Sequence, residues 1–579
     1  MARRASWKQP LRLDDAHICR KHDDLRNCPP ISPEGHAPGR VQTIMNEETT
    51  NPGNPSECEP DAKRRIDIGD IIISDAVFAK LLIPFAIALA LLVYGYEIAN
   101  FSLSIDEEVK WWYSTENWLA WVGQGRWGMG LLVYVMPKGL SSMPFLPTLL
   151  FAIGMAISAV IFSRVITDSR AEAVVFTGIF VTSPILLHIA EFNTISWGIA
   201  AGLIATALAS RHLSQGGTKN SLIAGAYAGF SMSIYQALFI LYLTIVLLIC
   251  IKKEWNAATS RTGGFIERNM PILGDVLKSV TASAVFYAVM DRLFKYFSGA
   301  HSDYLDNWVH LSSYTSEAGK EALMKVLGQS KGLLFGTDPT FLSVGAASLL
   351  LVWIGWLFTI RAQFDGRVTI ITKLYAAALA IGALLVSISL IVLSAGYIPT
   401  RSLISFPFLY AVLSATAFRF HKIRSALWVA FGVALFANTY IANSLFYTDH
   451  VARQRDSVMA ARLIDRIEEV GRGAFGESIP IAFMGQWQHE LGGPALRVEI
   501  FGDSFFEHDG GNTFRITAYL RLLGCHGLVP LRLSEIIDEV QEAKPRPSWP
   551  AREAVFLTKI AVIVKLGELS NEQKAALLK

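Results

Sequence analysis

Phe101–Met136 reads FSLSIDEEVKWWYSTENWLAWVGQGRWGMGLLVYVM. It directly follows the first long apolar run of the chain, and it holds three consecutive acids, a cluster of tryptophans and one arginine set among glycines. Whether this stretch crosses a membrane decides the side on which every later loop lies, because one extra crossing inverts all of them. Its aromatic and charged content predicts an interfacial loop over 101–142 that does not span.

The surrounding composition demands a membrane. Of 579 residues 52% are hydrophobic and only 17% charged, too apolar for an ordinary soluble chain of this length. The fold class expected is a polytopic α-helical membrane protein. A net charge of +3 excludes a nucleic-acid binder, which concentrates basic residues on one face. The five cysteines, Cys19, Cys28, Cys58, Cys250 and Cys525, form no CxxC pair and have no histidine at metal spacing, so neither a disulfide framework nor a zinc site is expected.

Residues 1–70 are polar and lack apolar periodicity, which predicts a disordered tail. Lys63, Arg64 and Arg65 precede the first apolar run, Val77–Tyr96, long enough to cross a core that needs about 20 helical residues. The positive-inside rule then places the tail in the cytoplasm and the acidic loop outside. Further spans are predicted near Met143–Phe162, Ala171–Ala190, Thr194–Ala209, Asn220–Ile251, Ile272–Leu293, Phe341–Ile360, Lys373–Leu393, Ser402–Phe418 and Ala426–Phe446. Asn220–Ile251, about 32 residues or ~48 Å as a helix, is too long for one crossing of ~30 Å and is split at Tyr235–Gln236. With the split there are about eleven spans in a membrane domain over 71–446, and the basic loops fall inside.

From Tyr447 the composition reverts to that of a soluble protein. Residues 447–579 are expected to form a small extracytoplasmic α/β domain with a helix over Val451–Val470. Strands are predicted at Ile479–Met484, Leu496–Phe501 and Ile560–Leu566, and helices at Thr513–Leu523 and Leu533–Glu542.

The acids Asp106, Glu107 and Glu108 admit a plain reading: Ser104 caps a helix, acids favour its first turn, and Asp106 pairs with Lys110 at i,i+4. Against it stand Trp111, Trp118 and Trp121 at near-helical spacing, with Trp112, Tyr113 and Trp127 beside them, which would lay this helix in the headgroup plane. Ionised carboxylates held there can accept a proton. Arg126 in QGRWGMG suits a snorkelling anchor or, through its fork geometry, a lipid-linked phosphate. Glu191, Asn193 and Trp197, then Tyr235 and Gln236, then Tyr397, Thr400 and Arg401 in GYIPTR occupy short external turns. Each alone suits a cap or anchor; together they can converge on one outward-facing cavity. GDSFFEHDGGNTFRI invites comparison with GDS-type hydrolases, but the downstream Asp-x-x-His is missing, so Gly502, Asp503, Asp509, Gly510, Gly511 and Asn512 read as turn chemistry. No phosphate loop, HExxH or Asp-x-Asp is present, which excludes an ATP-driven pump and a soluble nucleotide-sugar enzyme.

At SLSIDEEVKWW, GQGRW, SMSIYQAL, GYIPTR and GDSFFEHDGGNTFRI the chain resembles the GtrII-type glucosyltransferases of bacterial envelopes, relatives of the GT-C glycosyltransferases, from about Val77 to its end. The resemblance implies a polyprenyl-phosphate sugar as donor, an O-antigen or other envelope polysaccharide or glycolipid as acceptor, and an acid of the first external loop as base. It implies an inner-membrane enzyme with a cytoplasmic amino terminus and a periplasmic carboxy-terminal domain. Asp106 is the favoured base and Glu107 the alternate. Arg126 and Arg401 would stabilise the departing phosphate, and Glu191, Asn193, Tyr235, Gln236 and Tyr397 would contact substrate. The chemistry demands no metal or cofactor. A transporter of a lipid-linked sugar is the competing reading, although such proteins often carry internal repeats and midmembrane charges that are scarce here. A mere membrane anchor needs one span, not eleven.

Overall fold

The structure is a computed structural model describing residues 75–100, 102–109, 118–137, 139–140, 143–259, 264–302, 309–315, 319–362, 368–396, 398–493 and 495–578. The tail over 1–70, Lys110, Trp111, Trp112, Tyr113 and Tyr397 therefore lie outside the described residues.

The chain is a helical bundle followed by a small α/β layer. After α1 (Asp75–Ala99) come two short helices, α2 (Trp118–Gly123) and α3 (Trp127–Val135), then α4 (Leu146–Ile166), α5 (Arg170–Thr182), α6 (Pro184–Ala190), α7 (Ser196–Gln215), α8 (Thr218–Ile234) and α9 (Ala237–Thr259). The bundle continues with α10 (Phe265–Ser298), α11 (Gly319–Phe335), α12 (Leu350–Ala362), α13 (Ile370–Leu393), α14 (Ser405–Ala417) and α15 (Arg424–Phe475). At six and nine residues, α2 and α3 are each too short to span a ~30 Å core at ~1.5 Å per residue.

Among the described residues, five helices are long and apolar enough to cross a membrane, or seven when each of two bent pairs is one span. That measure does not count α7, α8, α9 and α14, which hold the other four of the eleven crossings expected. The bends have local causes. Pro184 cannot donate an amide to continue α5, so α6 departs at 48°. The predicted split at Tyr235 is a helix break, with α8 ending at Ile234 and Tyr235 extended (φ −153°, ψ 117°). Phe341–Ile360, expected as one span, instead begins in a 3-10 turn over Pro339–Val344, and the pair it belongs to is bent by 69°.

Small residues set the packing. Gly225 and Gly229, four apart on α8, face α10: a Cβ at Gly225 would stand 2.8 Å from the Ser279 carbonyl oxygen, and one at Gly229 2.8 Å from that of Ser283. Their absence of side chain lets two backbones approach where lipid supplies no hydrophobic drive.

α15 runs unbroken for 52 residues, roughly 78 Å, so Tyr447, where the composition changes, sits inside a helix. Beyond it, β1 (Ile479–Met484) pairs in parallel with β2 (Leu528–Pro530) and β4 (Val562–Lys565), and β3 (Val555–Leu557) closes the sheet antiparallel, in the order β2-β1-β4-β3. Three helices cover it: α16 (Thr513–Leu522), α17 (Ile537–Ala543) and α18 (Asn571–Leu577). Leu496–Phe501 is not a strand. It is a tight reversal in which Val498 and Phe501 exchange backbone hydrogen bonds. Leu533–Glu542 is likewise not one helix, since a 3-10 turn at Leu533–Glu535 precedes α17.

The two layers interlock. Val498 and Phe501 are buried within the core of the bundle, while Ile105, from the loop after α1, is buried in the core of the α/β layer among Phe505, Phe506 and Tyr519. Trp127, expected at the headgroup plane, is instead 2% exposed and stacks on Phe294 at 5.3 Å. An indole loses more water-exposed area by packing on α10 than it keeps at an interface.

Candidate active site

The loop after α1 is organised by Glu107. Its Oε2 accepts the Ser104 amide at 3.1 Å while its own amide donates to the Ser104 carbonyl at 3.2 Å, and its Oε1 accepts the Asn193 amide at 3.1 Å. The side chain is fully buried. Burial pushes its carboxyl up to about 8, against the pull of these donors.

Its neighbours point the other way. Asp106 takes a left-handed backbone (φ 82°), and its Oδ1 accepts from Arg515 Nη2 at 2.6 Å, with the side chain 43% exposed. Glu108 is fully buried and accepts from Arg515 Nη1 at 2.6 Å. Burial raises the Glu108 carboxyl, and the Arg515 charge offsets only part of that. The pairing of Asp106 with Lys110 lies outside the described residues.

Across from this loop, at the end of α6, Asn193 Oδ1 accepts the Thr148 hydroxyl at 2.8 Å. The Arg401 guanidinium lies 4.3 Å from the ring centre of Phe192. Glu191 is buried, and desolvation, then the charges of Asp449 and Glu97, hold its carboxyl well above its ordinary range. Trp197 is buried on α7. The turn carrying Arg401 is tied on two sides: the Thr400 amide donates to Glu499 Oε1 at 2.8 Å, and the Ser402 hydroxyl meets the Tyr235 hydroxyl at 2.7 Å. Glu499 also pairs with His188 Nδ1 at 2.7 Å. Burial alone would raise the Glu499 carboxyl, yet His188, the Thr400 amide and Arg401 together hold it below the usual carboxylate range.

Arg126 sits between α2 and α3, donating from Nε to Gln236 Oε1 at 3.1 Å, with its guanidinium 5.1 Å from the Tyr235 ring and 5.7 Å from that of Trp121. Gln236 in turn donates to the Gln124 carbonyl at 3.1 Å. The external turns named from the sequence thus touch one another: Arg126 reaches Tyr235 and Gln236, Tyr235 reaches the Arg401 turn, and the segment holding Phe192 and Asn193 reaches both Arg401 and Glu107.

Residues 95–418, more than half of the chain, match the family model described as Glucosyl transferase GtrII. The chain belongs to this family. No curated protein and no solved structure matches it. As a GtrII glucosyltransferase it acts on a sugar donor and an acceptor. The match encloses Asp106, Glu107, Arg126, Glu191, Asn193, Tyr235, Gln236 and Arg401, and it stops short of the region beyond Phe418 that the resemblance had also covered.

Several groups at this end of the GtrII chain escaped sequence reasoning. On α15, Arg453 donates from Nη1 to Asp456 at 2.8 Å and from Nη2 to Asp449 at 3.2 Å, all three buried. Their spacing of four and three residues was a legible helical ion-pair signal. Glu97 at the end of α1 is 3% exposed and accepts the Ser102 amide at 3.4 Å. Nothing local marked Glu97, His188 or Glu499, and Arg515 stood in the GDSFFEHDGGNTFRI run with no role given to it. Ser504, the serine of the GDS run compared above with hydrolases, is fully buried and donates to Asp456. Gly502, Asp509, Gly510 and Gly511 all have positive φ, as turn positions require.

Proposed function

We propose that this glucosyltransferase moves glucose from a polyprenyl phosphate to an envelope polysaccharide such as O-antigen, on the periplasmic face of the bacterial inner membrane. It does so in a GT-C-like bundle that crosses the membrane eleven times with its amino terminus in the cytoplasm. The observation that carries this reading is the division of labour in the acidic loop. Of the three acids only Asp106 extends its carboxylate toward solvent, while Glu107 and Glu108 are wholly buried and a base must touch the group it deprotonates.

In this reaction an Asp106 oxygen takes the proton of the acceptor hydroxyl as the hydroxyl oxygen attacks the anomeric carbon. The bond from that carbon to the phosphate oxygen breaks on the opposite face, its electron pair leaves with the polyprenyl phosphate, and the centre inverts. Arg126 and Arg401 neutralise the leaving phosphate, for which a guanidinium fork is suited. Glu191, Asn193, Tyr235, Gln236 and, outside the described residues, Tyr397 shape the sugar and acceptor contacts. The residues from Tyr447 onward stand on the same side as the loop, which their contacts with it support.

The test is purified protein with polyprenyl-phosphate glucose and polysaccharide, with the product anomer read by nuclear magnetic resonance. Inverted glucosyl product from the native chain and none from Asp106→Asn is the expected result. Equilibration of the lipid-linked sugar across liposomes without transfer would replace this reading with transport.

A further inference from the structure

Arg515 lies about a hundred residues beyond the family-matched segment, yet it pairs with two acids of the acidic loop. Its Nη2, Nη1 and Nε reach Asp106, Glu108 and Asp509 at 2.6 Å each. The guanidinium therefore presents all its edges to carboxylates, a geometry a lysine cannot copy. Its side chain is 18% exposed; burial works against its charge, and the carboxylates more than offset this, raising its proton affinity.

The base of this contact is rigid. Asn512 Oδ1 caps α16 by accepting the Phe514 and Arg515 amides at 2.9 and 3.4 Å, and the Thr513 hydroxyl accepts the Phe483 amide of β1 at 3.1 Å. Arg515 is thus bolted to the sheet, while its three partners include two of the three loop acids.

We infer that Arg515 is a positioning residue for glucosyl transfer: it grips Asp106 and Glu108 on one side of the loop, so that Asp106 keeps its left-handed turn and Glu107 between them is directed at Asn193. Ile105, buried in the α/β core beside it, makes the same attachment through apolar contact. The carboxy-terminal region is by this account a fixed wall of the active site and not a separate appendage. The kinetic part of the inference rests on Asp106 being the base; the structural part does not.

The experiment separates the two. In a chain whose native cysteines are serine, Ile105→Cys is labelled by a membrane-impermeant maleimide, with Arg515 intact or as Arg515→Gln, and kcat and donor KM are measured for Arg515→Gln and Arg515→Lys in the native chain. Expected are labelling at least tenfold faster with Arg515→Gln, a kcat at least tenfold lower with donor KM changed less than twofold, and only partial recovery with Arg515→Lys. If Arg515→Gln does not yield folded protein, Glu108→Gln takes its place in the labelling arm and should quicken it in the same direction. Unchanged labelling overturns the inference, as does an unchanged kcat in a chain that transfers glucose. Faster labelling with Arg515→Gln, where the native chain transfers no glucose, upholds the grip on the loop and overturns the assigned reaction instead.

Discussion

At Asp106 the backbone enters the left-handed region, and that one turn sends three successive carboxylates to three environments. Asp106 meets Arg515 with nearly half its side chain in solvent, Glu108 meets the same cation fully buried, and Glu107 is fully buried against backbone amides. Asp106→Asn keeps the shape and removes the acceptor of the proton, so turnover should fall by about 10²–10⁴ with the protein still folded and inserted, as read by initial rates on purified protein. Glu107 behaves differently because burial raises its carboxyl from 4.5 to about 8. Between those values the folded state holds a proton that the unfolded chain has released, so this group's contribution to stability is complete below pH 4.5 and is lost as pH rises through 8. Thermal midpoints across that window should fall with rising pH in the native chain and fall less steeply in Glu107→Gln; parallel curves would contradict the assignment.

Among the helices, sequence patterns were read well where the cause was local. The break at Tyr235–Gln236, β1 at Ile479–Met484 and the helix from Thr513 follow from apolar length, alternation and turn chemistry, all of which act over a few residues. The readings failed at Leu496–Phe501, where a strand-like apolar run folds back to plug the bundle, and at Trp127, which packs on α10. In both cases the deciding neighbour is far away in the chain. The α8–α10 contact can be tested directly: Gly229→Leu inserts a side chain where a Cβ already stands 2.8 Å from a carbonyl oxygen. Overpacking of this kind should cost about 1–3 kcal/mol, visible as a lower unfolding midpoint in detergent, whereas Gly432→Ala, inside α15 with open space around it, should hold or raise the midpoint because alanine favours a helix interior over glycine.

Across the molecule, charges of opposite sign are paired both between segments that composition would assign to separate domains, as Arg515 is with Asp106 and Glu108, and within the carboxy-terminal one. Arg453 neutralises Asp449 and Asp456 within α15, and the Asp503 carbonyl accepts from its Nη2 at 2.6 Å, so the ion group fastens the GDS turn to the long helix. Arg453→Met would take the guanidinium from two buried carboxylates, leaving Asp456 only His489, Ser504 and the Phe505 amide and Asp449 the Gly502 amide, and should destabilise the fold by about 3–5 kcal/mol, measured by denaturant unfolding; Arg472→Met, exposed near the end of the same helix, should change it by less than about 1 kcal/mol. What could be known from the chain alone was its membrane class, most element positions and the list of polar external turns, because hydrophobic length, helical and strand periods and charge bias are properties of neighbouring residues. Which acid faces solvent, which arginine holds it and how the carboxy-terminal region closes on the loop depended on the folded arrangement. Asp106 and Arg515 are about four hundred residues apart, and no local pattern encodes a contact whose energy arises from burying both together.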